Sequence, residues 1–446
     1  MKEMFKSIAL ASSAVLLSCA ALSAQNGGAY GAYAPYSIYG VGDRAKDGTA
    51  FNRSMGGVGI ATRNRRFINT MNPAAVTARD SLAFMADFGL YEDNKIYAQG
   101  KFRSAKNTFN VNDLVMSFPI WRSSAFLVGI TPFSDVGYDF SSKETDGNII
   151  ADTGAINYSS YGNGSIYQAF ASAGVTFWKR LSVGAEAICY FGNLDKVSNV
   201  TYSNSTYKSI NAGHELSVRG FTGKFGLQYD QKIAGDVAMT VGATYRLATN
   251  IRGNAGNYIY ATMSSVTDTI RNESLSLKGS GLKIGDELGV GLAVKGGERW
   301  SVEFNYLRSD WRNSGFENVR GFASDSYDAA AGTGYRFTSG VAHSFRAGFE
   351  FVPNRNDIRY YMRRCAYRGG VYYDIDHFLV NGHRIDGFGL TFGVTLPVFR
   401  WYNGITLGVD LGQRGTKNNG LIRERYAKFV IGLNIHDIWF QKPKYN

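Results

Sequence analysis

The sequence predicts an all-β chain, a 14-stranded antiparallel transmembrane β-barrel with an N-terminal plug. Three observations predict it: an aromatic, glycine-rich composition, period-2 alternation of apolar residues, and links that alternate between short and long. Of 446 residues, 53 are Gly, 57 are Tyr or Phe and only 7 are Pro. Glycine is thus about 12% against a usual ~7%. Charged residues are 19%, which with so many aromatics excludes a disordered chain. Mean hydropathy is −0.19. Past residue 24 no apolar run approaches the ~18 residues a spanning helix needs. Strands that cross lipid hide their hydrophobicity, because only alternate side chains face outward.

Residues 1–24 read as a signal peptide, with Lys2 and Lys6 before the apolar, small-residue stretch Ser7–Ala24 and Leu22-Ser23-Ala24 as the cleavage site. Leu16-Leu17-Ser18-Cys19 is a weaker lipobox alternative, which would make Cys19 a lipidated terminus. Either way the chain is exported. The formal charge is +12, and Lys2 and Lys6 against Glu3 take +1 away with the leader, leaving +11. The charge is scattered through loops with no basic helix, so nucleic acid is not an expected partner. Anionic lipid headgroups or surface sugar (the outer-membrane lipid and LPS) are.

Strand by strand, alternation marks centres at 81–90, 109–118, 125–138, 165–177, 181–191, 216–229, 236–248, 274–294, 300–308, 335–352, 367–376, 387–396, 404–412 and 425–436. The pattern is plainest in 403–412, where Ile405, Leu407, Val409 and Leu411 alternate with Thr406, Gly408, Asp410 and Gly412, and in 427–436. Short links fall at 119–124, 178–180, 230–235, 295–299 and 397–403. Long polar links fall at 91–108, 139–164, 192–215, 249–273 and 309–334, with shorter ones at 377–386 and 413–424. That rhythm is the outer-membrane barrel pattern, with turns in the periplasm and loops outside. Only 353–366 is long on the short side. Trp121, Trp178, Trp300, Trp401 and Trp439 sit at the short-turn ends and Trp311 at the other, as indole rings favour a membrane interface. The barrel spans 81–440, and 441–446 form a periplasmic tail. Cys189 and Cys365 fall too far apart for a disulfide.

Residues 36–80, within the expected hatch 25–80, do not alternate. Met55, Val58, Ile60, Phe67, Ile68 and Met71 are too apolar for a solvated linker, so the segment is expected to fold inside the barrel. Here the residues carry a resemblance. Asn72-Pro73-Ala74, after a glycine-rich apolar stretch and directly before the first strand, resembles the N-terminal hatch of the FadL/TodX outer-membrane transport family. Tyr36-Ser37-Ile38-Tyr39-Gly40-Val41-Gly42-Asp43, Met55-Gly56-Gly57-Val58-Gly59 and the ending Asn434–Phe440 resemble a divergent branch found in Gram-negative lineages with type IX secretion. The resemblance implies passive uptake of small hydrophobic compounds past the hatch, with lateral exit at a kinked third strand. The alternative, met in that branch, is a non-transporting barrel subunit of a type IX secretion or barrel-assembly complex, with other outer-membrane or periplasmic proteins as partners.

Candidate site residues follow. Gly129, Pro132 and Gly137 in strand three fit the kink, since Pro132 cannot donate to the ladder. The register that puts apolar residues outward points Asp87, Asp113, Glu186, Glu287, Glu303, Glu350, Asp374 and Asp410 into the lumen, against Lys224, Arg246 and Arg346, a balance near −5. Segment 36–80 carries +4, so a basic plug in an acidic lumen is expected, with Arg63, Arg65 and Arg66 as its leading contacts. No hydrolase motif surrounds the five histidines, and the chain is not expected to be an enzyme. Asp374, Asp376, His377, His383 and Asp386 gather around one loop. Such a cluster is more often solvated than metal-binding, and no metal or cofactor is expected.

Overall fold

The computed structural model describes residues 32–438, apart from 81, 122, 264–265, 320, 323–334 and 400–402. The signal peptide, Cys19, Trp401, Trp439 and the tail 441–446 lie outside the described residues. The spanning strands follow in chain order: β1 (Ala83–Gln99), β2 (Phe102–Trp121), β3 (Ser124–Asp135, resumed as Tyr138–Lys143), β4 (Ile156–Phe177), β5 (Leu181–Tyr202), β6 (Ser209–Ala234), β7 (Val237–Arg246, resumed as Arg252–Met263), β8 (Val266–Ser276, resumed as Asp286–Gly296), β9 (Trp300–Asp310), β10 (Phe337–Ser339 and Val341–Phe351), β11 (Ala366–Val380), β12 (His383–Phe399), β13 (Asn403–Arg414) and β14 (Arg423–Ile438). Every alternation centre overlaps one of these strands, although 274–294 straddles the break between the two parts of β8. Each strand pairs antiparallel with its chain neighbours, and β14 returns to β1 along a ladder from Ala83–Ile438 to Ala98–Arg423. Closure leaves no sheet edge to aggregate.

The barrel is apolar outside and polar inside. Val183, Leu227, Val241, Phe304, Phe349 and Ile431 are 40–57% exposed, while Ser182, Gln228, Thr240, Glu303 and Glu350 between them are buried to 7% or less. A band of exposed aliphatic and aromatic side chains around a closed sheet is stable only in lipid. Trp178 and Trp300 are exposed at the short-turn end, whereas Trp311 is buried against His377, with ring centroids 4.7 Å apart. Cys189 faces outward, Cys365 is buried, and both are free thiols.

The expected long loops are mostly strands. Links 91–108, 192–215 and 249–273 are hairpins whose ladders continue to a turn at Gly100, to a turn at 203–208 and to the pair Met263–Val266. Link 139–164 holds Tyr138–Lys143, a helical stretch Gly147–Thr153 and the start of β4. The reason is physical. Once a strand has left the lipid, its outer face needs no apolar residues, so alternation stops while hydrogen bonding continues. Residues Val266–Ser276 are exposed on both faces. Link 353–366 is a true loop with one helical turn, Tyr361–Arg364.

Orientation is tested by proteolysis. Protease added to intact cells is expected to cut within 139–164 or 192–215, where Gly147–Thr153 stands exposed, and to reach 353–366 only after the outer membrane is opened. Cleavage confined to 353–366 in intact cells reverses the assignment.

Candidate functional site

Segment 32–80 lies against the inward face of the wall, and the wall is shaped for it. Glycines on adjacent strands form a belt. A Cβ at Gly184 would fall on the carbonyl of Pro73, at Gly226 on the Asn72 side chain, at Gly242 on the Ile60 carbonyl, at Gly348 on the Met55 carbonyl, at Gly370 on the backbone of Gly56 and at Gly432 on Ala50. These positions come from β5, β6, β7, β10, β11 and β14. Asn72 shows why its short motif has this composition. Its Oδ1 accepts from the Ala74 amide (2.9 Å) and caps the 3₁₀ turn Pro73–Thr77, while its Nδ2 donates to the Ile60 (2.7 Å) and Leu227 (3.2 Å) carbonyls. The side chain is fully buried with both ends satisfied. Opposite it, the Glu303 carboxylate accepts from the Ala61 amide (2.8 Å) and from the Thr62 hydroxyl.

A charged layer locks the segment nearer the loop end. Arg44 pairs with Glu287 (2.8 Å) and Lys46 with Asp410 (2.9 Å), and Lys46 also sits 3.4 Å from the centre of the Tyr372 ring. Asp43 meets Arg414 (2.7 Å) and Lys95 (3.7 Å). Burial alone would raise the Asp43 carboxyl, but Arg414, Lys95 and Lys428 outweigh it and hold it well below the usual range. Arg414 further binds Asp376 (2.7 Å) and Glu424 (3.8 Å), and Lys428 binds Asp93 (3.0 Å).

The contacts differ in detail from the expected ones. Arg63 donates to the neutral Ser182 (2.7 Å), Gln228 (3.0 Å) and Thr77 (3.2 Å). Arg65 is exposed. Arg66 pairs with Glu298 in the β8–β9 turn (3.2 Å). None of the three has an ion pair with a named lumen carboxylate among the described residues; Arg44 and Lys46 take that place. The acids Asp87, Asp113, Glu186, Glu287, Glu303, Glu350, Asp374 and Asp410 and the bases Lys224, Arg246 and Arg346 lie at inward register positions, with Glu186 opposite Lys224 and Glu287 opposite Arg246. The lumen is nevertheless no plain acidic tube, because the wall brings cations of its own. Arg368 binds Glu350 (2.8 Å), and Lys95, Arg414 and Lys428 serve the layer above. Arg368 and Lys428 were legible as inward residues in alternating stretches. Lys95 and Arg414 sit where alternation has ended. The loop cluster disperses: Asp376 goes to Arg414, Asp374 lies 3.9 Å from Arg346, Asp386 accepts from Tyr373, and His377 is buried against Trp311.

Strand β3 is broken. Its ladder with β2 stops at Ile130–Leu114, its register with β4 shifts between Pro132 and Ser134, and Gly137 falls in the gap before Tyr138. A Cβ at Gly129 would strike Phe170 and Val115. The edge that β3 would offer is covered by the chain's own N-terminal segment. Asp43 and Arg44 pair with Asp135 and Ser134, the Ala34 amide donates to the Gly137 carbonyl (2.8 Å), and Tyr33 donates to the Asp139 carbonyl (3.1 Å). Between the charged groups a cavity of about 150 Å³ remains. A second, of about 400 Å³, opens at the loop end among Tyr36, Ile38, Tyr39, Tyr138, Phe140 and Leu421.

Comparison with known proteins agrees with this architecture. The toluene transporter TodX of Pseudomonas putida superposes with a TM-score of 0.58 at 13% identity, covering 89% of this chain and 100% of its own. The toluene transporter TbuX of Ralstonia pickettii gives 0.54 at 15% over 87% and 98%, and a Pseudomonas aeruginosa FadL homologue 0.51 at 11% over 89% and 99%. At these identities the likeness is one of fold, a FadL-like outer-membrane barrel. No curated protein matches. The sequence model of the BamG family matches residues 4–446; this outer-membrane barrel, closed around its own N-terminal segment, belongs to the BamG family.

Proposed function

We propose that this chain is a non-transporting barrel subunit of an outer-membrane machine, in the first place a barrel-assembly complex. The observation that carries the reading is the filled lumen. Among the described residues, backbone-tight contacts at the glycine belt and a layer of largely buried ion pairs above it leave no apolar path along the axis, and the β3 gap is covered by residues 33–45. The family name, in the style of barrel-assembly components, agrees. A partner barrel also needs an anchoring surface, and loop 353–366 offers one on the short-turn side. Ile358 is 93% exposed and Met362 59%, beside Tyr360 and Tyr361 and the cations Arg359, Arg363 and Arg364. Purified in mild detergent, the chain is expected to bring one fixed set of outer-membrane proteins at constant stoichiometry. Ile358→Asp with Met362→Asp is expected to lose that set while the barrel still accumulates. A chain that purifies alone, from cells whose outer-membrane barrels are at normal levels after its deletion, sinks the reading.

One observation favours uptake of hydrophobic compounds instead, namely the aromatic cavity at the loop end. On that reading segment 32–80 must move, and Gly129, Pro132 and Gly137 frame the exit. Slower growth of a deletion strain on a hydrophobic carbon source, restored by the wild-type gene, supports uptake.

A further inference from the structure

One cluster of buried oxygens is used by neither reading. It lies where the barrel closes. Asp87 on β1 faces inward opposite Asn434 on β14. On β2 the ladder slips, with Gly89 opposite Asp113 but Leu90 opposite Val111, so Asn112 is an extra residue. Such a bulge turns two consecutive side chains to one face, and Asn112 and Asp113 are both 1% exposed. Gly89 makes the room, since a Cβ there would fall on the Asp113 carboxylate. The Asn434 amide donates to Asp87 (3.2 Å), the Asn112 amide donates to Asp113, and the two carboxyl groups lie within hydrogen-bonding reach of each other.

Two carboxylate oxygens, Asp87 Oδ1 and Asp113 Oδ2, are buried without a hydrogen-bond partner, and so are Asn112 Oδ1 and Asn434 Oδ1, at the far ends of amides whose nitrogens face the carboxylates. Among the described residues neither carboxylate has an ion pair. The cation facing them is Arg53, which donates to the Lys46 carbonyl and lies 5.5 Å over the Tyr91 ring. Buried polar groups are normally satisfied, and exceptions ask for a ligand. The Gly48 carbonyl lies 3.4 Å from the Asn112 amide, and a cavity of about 30 Å³ borders Asn112, Gly48 and Arg53.

We propose that Asp87, Asp113, Asn112 and Asn434, with the Gly48 carbonyl, bind a calcium ion that clasps β14, β1, β2 and the N-terminal segment together. The donors are all hard oxygens, which select calcium or magnesium over zinc or copper. Their irregular mix of carboxylate, amide and backbone oxygens suits calcium, while magnesium demands a near-ideal octahedron. Two carboxylates balance the charge. Turning either amide by half a rotation exchanges its nitrogen for its oxygen in the same volume, which directs that oxygen at the ion.

The test uses the full mature chain in detergent, exhaustively dialysed against metal-free buffer and then given calcium alone. The expected result is one calcium per chain by elemental analysis and a thermal midpoint that rises saturably with calcium and falls with EDTA. Asp87→Asn with Asp113→Asn is expected to abolish both effects, and Asp146→Asn, in the exposed loop, to change neither. Where the double variant fails to accumulate, Asn112→Ala keeps both carboxylates and is expected to weaken calcium by at least about tenfold. A wild-type chain with no bound calcium and no midpoint shift at millimolar calcium overturns the proposal, and a proton shared by the two carboxyls then accounts for the pair. Calcium retained equally by Asp87→Asn/Asp113→Asn overturns it too.

Discussion

Gly370→Val is expected to unseat the N-terminal segment, while Gly369→Val, one residue away, leaves it in place. Both changes add a β-branched side chain to β11, where such residues are at home. They differ in what they meet. Gly370 faces the lumen, and its new Cβ would strike the Gly56 amide and the Met55 carbonyl carbon, backbone atoms that cannot rotate aside. Gly369 faces outward, with only the Thr391 carbonyl at 3.7 Å. Overpacking typically costs ~1–3 kcal/mol, and a clash with backbone belongs at the upper end. The expected readout is tryptic cleavage at Arg53, Arg63 or Arg66 in the variant under conditions where wild type and Gly369→Val stay intact. Equal protection of all three chains contradicts the belt. Should Gly370→Val fail to accumulate, Gly184→Ala is the smaller change, because it adds no γ carbons, and its Cβ still meets the Pro73 carbonyl.

Arg414→Leu is expected to be the most destabilising single change in the charged layer. The guanidinium holds Asp43, Asp376 and Glu424 at once, at 13% exposure. Its removal leaves three carboxylates facing one another, Glu424 buried and Asp43 and Asp376 about one-fifth exposed, with Lys95 the nearest remaining cation for Asp43. Breaking a buried pair from one side costs ~3–5 kcal/mol. An exposed pair such as Lys208 with Asp268, each about half exposed, is worth ~0–1 kcal/mol. Lys208→Ala is therefore expected to leave the heat-modification midpoint of the barrel unchanged, whereas Arg414→Leu lowers it by many degrees. Asp43→Asn in the Arg414→Leu background should recover part of the loss, because neighbours in one network couple. An Arg414→Leu midpoint equal to wild type removes the layer from the account of stability.

The sequence by itself determined the strand count and which side chains of each strand face lipid. That was legible because lipid acts locally. Each outward residue must be apolar whatever its neighbours do, so Ile405, Leu407, Val409 and Leu411 declare their face without any knowledge of the fold. The same logic marked Glu303 and Asp410 as inward. It failed where lipid ends, so hairpins such as 192–215 passed for loops.

What fills the barrel was decided only by the tertiary structure. The partners of the N-terminal segment are remote in the chain, with Arg44 and Glu287 separated by 243 positions and Lys46 and Asp410 by 364. Charge totals could set the sign of that attraction but not choose among arginines, since Arg63 carries the same charge as Arg44 and lies beside neutral Ser182 and Gln228. The one-residue bulge shows in the alternation only as a change of phase, from Phe109 and Val111 to Leu114 and Met116, which does not say what its two consecutive inward residues meet. Asn112 and Asp113 share a face because β2 slips against Gly89, and only closure of the barrel brings Asn434 to Asp87 beside them.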